Sequence, residues 1–301
     1  MPNAEFDQIC LEIARIKIRL RAADQRWKLG LLPEYLPFVC THECDEPADL
    51  DLTVYCEELP EISCTDEGFH SGGAWAMEKS GDRFVFRFES PSFDPPVYKL
   101  VIMSADFSHS DIYIRPVQGS IVGSTIFPIE FPLDELLVNH WLSKDRGVEL
   151  HACAINFDGR ALVCCGQSGA GKSTMARLWE EARRGEVLSD ERVIIRDFGE
   201  LEVYGTPWRG EARMALNNGC PVKAIFVLEH GPTNHLEPLK PADAASYLVA
   251  RSFPTFWDSA GMEGTLDFIQ RIVERIPCFK LGFVPDESVV SFLKSASVDL
   301  R

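Results

Sequence analysis

Eight consecutive residues constrain this chain more than any others. Gly166-Gln167-Ser168-Gly169-Ala170-Gly171-Lys172-Ser173 fits the pattern G-x-x-x-x-G-K-[ST], with the apolar run ALVCC before it and the helix-compatible TMARLWEEAR after it. Glycine reaches φ > 0 without a Cβ clash, so successive backbone N–H groups can turn inward, and the helix that follows adds about half a positive charge at its N-terminus. A strand, a loop and a helix in that order make a cradle for phosphate. The expectation is a nucleotide triphosphate held by Gly166, Gln167, Ser168, Gly169, Ala170, Gly171, Lys172, Ser173 and Thr174. Lys172 would reach the β- and γ-phosphates as a point charge, and the Ser173 hydroxyl would ligate Mg²⁺.

Charge then narrows the partners. The 301 residues carry 30 Lys and Arg against 46 Asp and Glu, a formal net charge of −16. Such a chain repels polyanions and anionic lipid surfaces at long range, which argues against nucleic acid and membrane partners while leaving a local anion pocket of backbone amides open. No run approaches the roughly 18 apolar residues needed to span a bilayer, and MPNAEFDQIC lacks a basic segment followed by an apolar one, so the cytoplasm is the expected compartment. There the ten cysteines would be reduced thiols. Cys40, Cys44, Cys56 and Cys64 with His42 raise a zinc hypothesis, but the set holds no C-x-x-C pair, and buried structural cysteines are the better expectation.

The length suggests two domains at roughly 150 residues each. The first half is β-rich. Ile16, Ile18 and Leu20 alternate with Lys17 and Arg19 as a half-buried strand does, although Ile9, Ile13, Ile16 and Leu20 would also suit a helix. Further strands are predicted from Asp49 or Leu50 to Glu58, over Ala74 to Ser80, Arg83 to Ser90 and from Val97, with a hairpin turn at Ser80-Gly81-Asp82. A linking helix follows in FPLDELLVNHWLSKDRG, starting near Asp134 and stopping at Gly147. Beyond it, two strands around Asp158-Gly159 lead into the glycine loop. A strand at Val222 to His230 and three helix candidates follow, one of them showing Leu266, Ile269, Val273 and Ile276 on one face. The expectation is thus a β-rich domain over 1–130, available for recognising an acceptor, and an α/β domain over 131–301.

A phosphate loop serves hydrolases, switches and kinases alike, so other residues must decide the chemistry. Asp190 and Glu191 lie eighteen and nineteen residues after Lys172, where a short segment enters an apolar strand. Adjacent strand residues face opposite ways, so one of the two should face the phosphates, and Asp190 is taken as that residue. It could accept the proton of an attacking hydroxyl, help hold Mg²⁺, or do both. His151 lies fifteen residues before Gly166 on the first strand of the hairpin, which brings its backbone near the loop. It could be a hydrogen-bonded core histidine, or an imidazole that orients the base and offsets developing charge.

Together these residues resemble the C-terminal catalytic domain of HPr kinase/phosphorylase, a phosphate-loop family related in fold to phosphoenolpyruvate carboxykinase. That family has a histidine upstream of a G-x-S-G-x-G-K-S loop, then an Asp-Asp-Arg-Val segment, then a Glu before a glycine turn. Here the matching residues are His151, Gly166 to Ser173, Asp190-Glu191-Arg192-Val193, and Glu202 in Leu201-Glu202-Val203-Tyr204-Gly205. The resemblance implies Asp190 as general base, His151 as its assistant, and Ser173, Glu202 and Glu191 around the metal. It covers about the second half of the chain and departs from the family at Glu191 and at Gly205-Thr206-Pro207-Trp208-Arg209-Gly210-Glu211. Arg209 and Arg213 flank that stretch as candidate stabilisers of transferred-phosphate charge, or as plain surface arginines. In organisation the chain is similar to HPr-kinase-related proteins of peptide clusters, lasso-peptide kinases and free-serine kinases, whose acceptor is not HPr. The relatives often form hexamers, so a homo-oligomer is compatible with the resemblance.

The leading expectation is therefore a Mg²⁺-dependent transfer of the ATP γ-phosphoryl group to a hydroxyl, a serine of a peptide, protein or small molecule, with Lys172, His151 and Asp190 as catalytic residues. The alternative is a non-catalytic nucleotide-binding regulatory or peptide-binding module. A carboxykinase-like reaction on a small acid is weaker, because no second basic cluster suits an oxaloacetate-like substrate.

Overall fold

Period-two alternation of apolar and charged residues governs the first half of the chain, and it does so as strands. In the computed structural model, which describes residues 5–40, 47–65, 68–116 and 125–299, the chain divides into two compact units, Met1–Trp141 and Leu142–Arg301. The first unit begins with β1 (Glu5–Phe6), β2 (Gln8–Ile13), β3 (Ile16–Ala22), β4 (Lys28–Gly30) and β5 (Leu50–Cys56). It continues with β6 (Gly68–His70), β7 (Trp75–Ser80), β8 (Arg83–Glu89), β9 (Val97–Met103), β10 (His109–Ile114), β11 (Thr125–Ile126) and the helix α1 (Leu133–Leu142). Eight strands form one sheet in the order β2-β3-β5-β10-β9-β8-β7-β6, and β1-β4-β11 form a small second one.

Local chemistry accounts for the turns. Ser80 pairs with Arg83, so Gly81 and Asp82 make a two-residue hairpin with Gly81 at φ +64°. The helical alternative for Ile9 to Leu20 is not realised, because Ala14 and Arg15 turn the chain back and pair Ile13 with Ile16. Helix α1 ends at Leu142, short of the Gly147 stop, and Asp134 is buried, taking a hydrogen bond from the Tyr35 hydroxyl. One expectation is corrected here: Cys10 is disulfide-bonded rather than a free thiol. Disulfide pairing depends on Cα separations across the fold, which residue spacing does not reveal. Cys40, Cys56 and Cys64 are free and half-buried, while His42 and Cys44 lie outside the described residues.

The second unit comprises β12 (Val148–Phe157), β13 (Arg160–Cys165), α2 (Lys172–Ala182), β14 (Glu186–Ser189), β15 (Arg192–Asp197), β16 (Leu201–Gly205) and β17 (Gly219–His230). It ends with β18 (His235–Pro238), α3 (Pro241–Val249), α4 (Ser259–Arg275), β19 (Cys278–Phe283) and α5 (Ser288–Asp299). Its strands read as continuous apolar runs because both faces are covered. Ala152, Ala154, Val163 and Cys165 face Ala244, Leu248, Phe268, Ile269 and Ile272 of α3 and α4. Cys153, Ile155, Leu162 and Cys164 face Met175, Ala176 and Trp179 of α2 and Val289, Val290 and Leu293 of α5. The unit is a three-layer α/β arrangement with helices on both sides of the sheet. On α4 the buried stripe runs through Gly261, Thr265, Phe268, Ile269 and Ile272, whereas Leu266, expected on the inner face, is exposed. Burial pushes the thiols of Cys165 and Cys278 up to about 12, so these buried cysteines behave as apolar packing. No helix among the described residues is long and apolar enough to cross a membrane.

Candidate active site

The glycine loop takes its place from a hairpin. Phe157 pairs with Arg160 across Asp158 (φ +52°) and Gly159 (φ +81°), and the ladder continues to Ala152 opposite Cys165. The residue before Ala152 is His151 and the residue after Cys165 is Gly166, so the register alone sets the histidine beside the start of the loop. Along its other edge β12 pairs with β14 and then β15: His151 lies opposite Arg192, and the Ala152 N–H donates to the Glu191 carbonyl at 3.0 Å.

The loop is a tight backbone cradle. Gly169 and Gly171 stand at φ +81° and +97°, a region that favours glycine. A Cβ on Gly171 would meet Phe283 Cζ at 2.6 Å, so the position has neither the dihedral nor the space for another residue. His230 Nε2 donates to the Gly169 carbonyl at 3.1 Å and its ring lies 5.3 Å from that of Phe283. Lys172 opens α2 and is 5% exposed, with Nζ donating to the carbonyls of Gly166 at 3.2 Å and Gln167 at 3.3 Å. Burial lowers its pKa from the ordinary lysine range, the Glu191 carboxylate opposes that fall, and Arg251 adds to it. Ser173, in the first turn of α2, is half-buried.

Of the two adjacent carboxylates, the one facing the lysine is Glu191. His151 Nε2 donates to Glu191 Oε1 at 2.8 Å, both side chains being about a quarter exposed at 24% and 29%. An ionised carboxylate only accepts, so Nε2 carries the proton in this pair. That hydrogen bond holds the Glu191 carboxyl below its ordinary range against burial, and the charges of His151, Lys172 and Arg192 act in the same direction. Asp190, expected to face the phosphates, instead points into the protein and is 0% exposed. Its Oδ1 accepts from the backbone N–H of Gly210 at 3.0 Å and of Met214 at 3.1 Å, and its Oδ2 from that of Ala212 at 2.8 Å. The two residues sit in a bend between β14 and β15 and do face opposite ways; the segment Gly210–Met214 folds over Asp190 and claims it. Asp190 therefore anchors this segment, which passes beside Glu191: a Cβ on Gly210 would lie 3.0 Å from Glu191 Oε2. Arg209 and Arg213, on the anchored segment, are exposed.

Glu202 is not part of this cluster. In the β15–β16 ladder Val193 opposes Gly205 and Arg196 opposes Glu202, which sets Glu202 three residues, about 10 Å, from the end where Glu191 lies. It takes a hydrogen bond from the Tyr204 hydroxyl instead. Among the described residues no three His, Cys, Asp or Glu side chains gather in a way that could hold a metal ion. Any cation here would rest on Ser173 and oxygens of a ligand, as Mg²⁺ in phosphate sites commonly does. Three residues near the site were not anticipated. His230 ends β17, Arg251 lends its carbonyl to the His151 N–H at 2.8 Å, and Phe253 lies 4.3 Å from the Arg192 guanidinium and 6.5 Å from the His151 ring. Only His230 left a signal, as the polar end of an apolar strand.

The family described as SynChlorMet cassette protein ScmC matches residues 135–282. Among solved structures, the HPr(Ser) kinase/phosphatase from Coxiella burnetii aligns at 11% identity with a TM-score of 0.30, over 50% of this chain and 97% of that one. No curated protein matches the chain.

Proposed function

We propose that the second unit is a Mg²⁺-dependent phosphotransferase that moves the γ-phosphoryl group of ATP to a hydroxyl, a serine of a peptide, protein or small molecule. The observation that carries this reading is the His151–Glu191 hydrogen bond set beside the Lys172 loop. A plain nucleotide-binding module has no need of an ionised carboxylate held by an imidazole at that point. The loop suits the triphosphate, because its glycines leave the backbone open where a Cβ would collide and its lysine is already drawn into the cradle. Backbone amides and Lys172 would hold the β- and γ-phosphates, and Ser173 with oxygens of the triphosphate would hold the cation, which leaves the Glu191 carboxylate to act as base. Mg²⁺, when bound, would supply charge neutralisation to the triphosphate. The cytoplasm, with its ATP and Mg²⁺, is the setting this reading takes.

In this mechanism Glu191, rather than Asp190, is the base. The acceptor oxygen attacks the γ-phosphorus, its proton passes to the Glu191 carboxylate, the bond from the γ-phosphorus to the bridging oxygen breaks, and ADP leaves with the electron pair. His151 keeps Nε2–H on Oε1, which fixes the carboxylate plane and leaves Oε2 as the accepting atom. Asp190 contributes by holding the segment Gly210–Met214, and with it the exposed Arg209 and Arg213, beside the acceptor side of Glu191. Much of the rate would come from positioning and electrostatics.

The test is incubation of the full chain with ATP, Mg²⁺ and candidate acceptors, free serine, serine-containing peptides and HPr-like protein among them, followed by mass spectrometry. The expected result is a gain of one phosphoryl group on an acceptor, with ADP formed in step. Nucleotide binding without acceptor-dependent ADP in any arm would leave only the regulatory module.

A further inference from the structure

A second cluster of charge lies at the opposite end of β15 from Glu191. There a cavity of about 520 Å³ is lined by Asp145, Arg146, Arg196, Asp197, Arg271 and Arg275 around Phe198 and Phe268. Four guanidinium groups meet two carboxylates, so the lining is positive inside a chain whose formal net charge is −16. The aspartates are spent on fixing the arginines and the turn. Arg271 pairs with Asp145, Arg275 Nη1 reaches Asp197 at 2.6 Å, and Asp197 Oδ1 also accepts the Gly199 N–H at 3.0 Å. Stacking holds two of the guanidinium planes: Arg196 lies 4.6 Å from the Phe198 ring and Arg271 5.1 Å from that of Phe268. An arginine whose plane is held by an aromatic ring keeps in-plane N–H edges for a planar or tetrahedral anion.

We infer that this cavity is a second anion site, which takes a small molecule carrying two or more phosphate or carboxylate groups. Its volume falls in the range of small-molecule pockets, about 300–1,000 Å³. A smaller cavity of about 420 Å³ shares Arg275 with it and is lined by Lys223 and by Arg160 paired with Glu200 at 3.0 Å, so Lys223 is the further cation beyond Arg275 for a ligand with separated charges. The four guanidinium groups gather within the larger depression, a spacing that suits a small polyanion. Strand β15 joins the two sites, running from Arg192, paired with His151, to Asp197 in this cavity. The inference does not depend on phosphoryl transfer at the other end.

The experiment is isothermal titration of the full chain carrying Lys172→Ala, which removes the loop's own hold on phosphate, with pyrophosphate in one arm and citrate in the other. Saturable binding of at least one is expected, and the arm that binds tells phosphate from carboxylate chemistry. Adding Arg271→Gln with Arg275→Gln should weaken that binding at least tenfold, and exchange protection from the anion should fall on 196–199 and 268–275. Should that variant fail to fold, Arg196→Gln, whose guanidinium lies over the exposed Phe198 ring, is expected to weaken binding several-fold instead. No saturable binding in either arm, or binding unchanged by the arginine substitutions, overturns the inference.

Discussion

Asp190 and Glu191 are neighbours with the same charge and opposite environments, and the difference assigns them different work. Three backbone amides saturate Asp190 in the interior, whereas Glu191 meets one imidazole at the edge of the glycine loop. Glu191→Gln keeps the size and removes the proton acceptor, so phosphoryl transfer should fall about 10²-fold or more with ATP affinity little changed, measured by single-turnover assay and titration. Asp190→Asn replaces one acceptor oxygen with a donor that faces amides, which costs about 1–3 kcal/mol of stability by urea denaturation. If Asp190→Asn lost transfer while keeping full stability, and Glu191→Gln kept transfer, the two roles would be reversed. The pH dependence follows from the same geometry. His151 lowers the Glu191 pKa, so its carboxylate persists below the ordinary glutamate value of about 4.3, and the acid limb of kcat/KM should lie below that pH. A depressed folded-state value also means that this pair stabilises the fold above about 4.3 and that its contribution disappears as pH falls through the lower value. Removing the imidazole with His151→Ala should move the acid limb to higher pH, a shift that a merely structural histidine would not produce.

At the scale of elements, the loop between β13 and α2 is where backbone conformation and packing coincide. Gly171 carries φ +97° and has Phe283 against the face where a Cβ would stand. Gly171→Ala should therefore cost about 2 kcal/mol by urea denaturation, from the left-handed dihedral and the contact with Phe283, and weaken ATP binding at least tenfold. Equal stability and affinity in that variant would mean that the loop's shape does not matter for the ligand. This element was legible from contiguous residues alone, because strand, glycines and helix follow one another in the chain. So was the hairpin around Asp158-Gly159, whose two-residue turn sets the His151 register. The choice between Asp190 and Glu191 was not legible, since it is made by amides twenty and more residues downstream that fold over one of them. Glu202 was misplaced for a similar reason: its distance from Glu191 follows from where the β15–β16 turn falls at Phe198-Gly199-Glu200, and a motif match does not count ladder steps. On α4, Leu266 was assigned inward because a 3.6-residue period fits two neighbouring stripes, and packing against β12 and β13 selected the one through Phe268 and Ile272.

For the molecule as a whole, the expected nucleotide acts on one of two separate cores. The second unit is held by two apolar clusters on either side of its sheet, and both run up to the loop through Cys165 on one side and Cys164, Met175 and Phe283 on the other. A ligand that binds the folded loop and not the unfolded chain stabilises by mass action, about 2.7 kcal/mol at a concentration one hundred times Kd. That free energy belongs to the structure that makes the site, so hydrogen-exchange protection gained with ATP and Mg²⁺ should fall on the strands and helix that frame it, β12, β13, α2 and β15. Strands β5, β8, β9 and β10 of the first unit should exchange as before. Lys172→Ala should abolish the gain while leaving ligand-free protection nearly unchanged, because the lysine's bonds in the cradle are to two loop carbonyls. Protection gained chiefly in the first unit, or a gain that survives Lys172→Ala, would place nucleotide binding somewhere other than the loop.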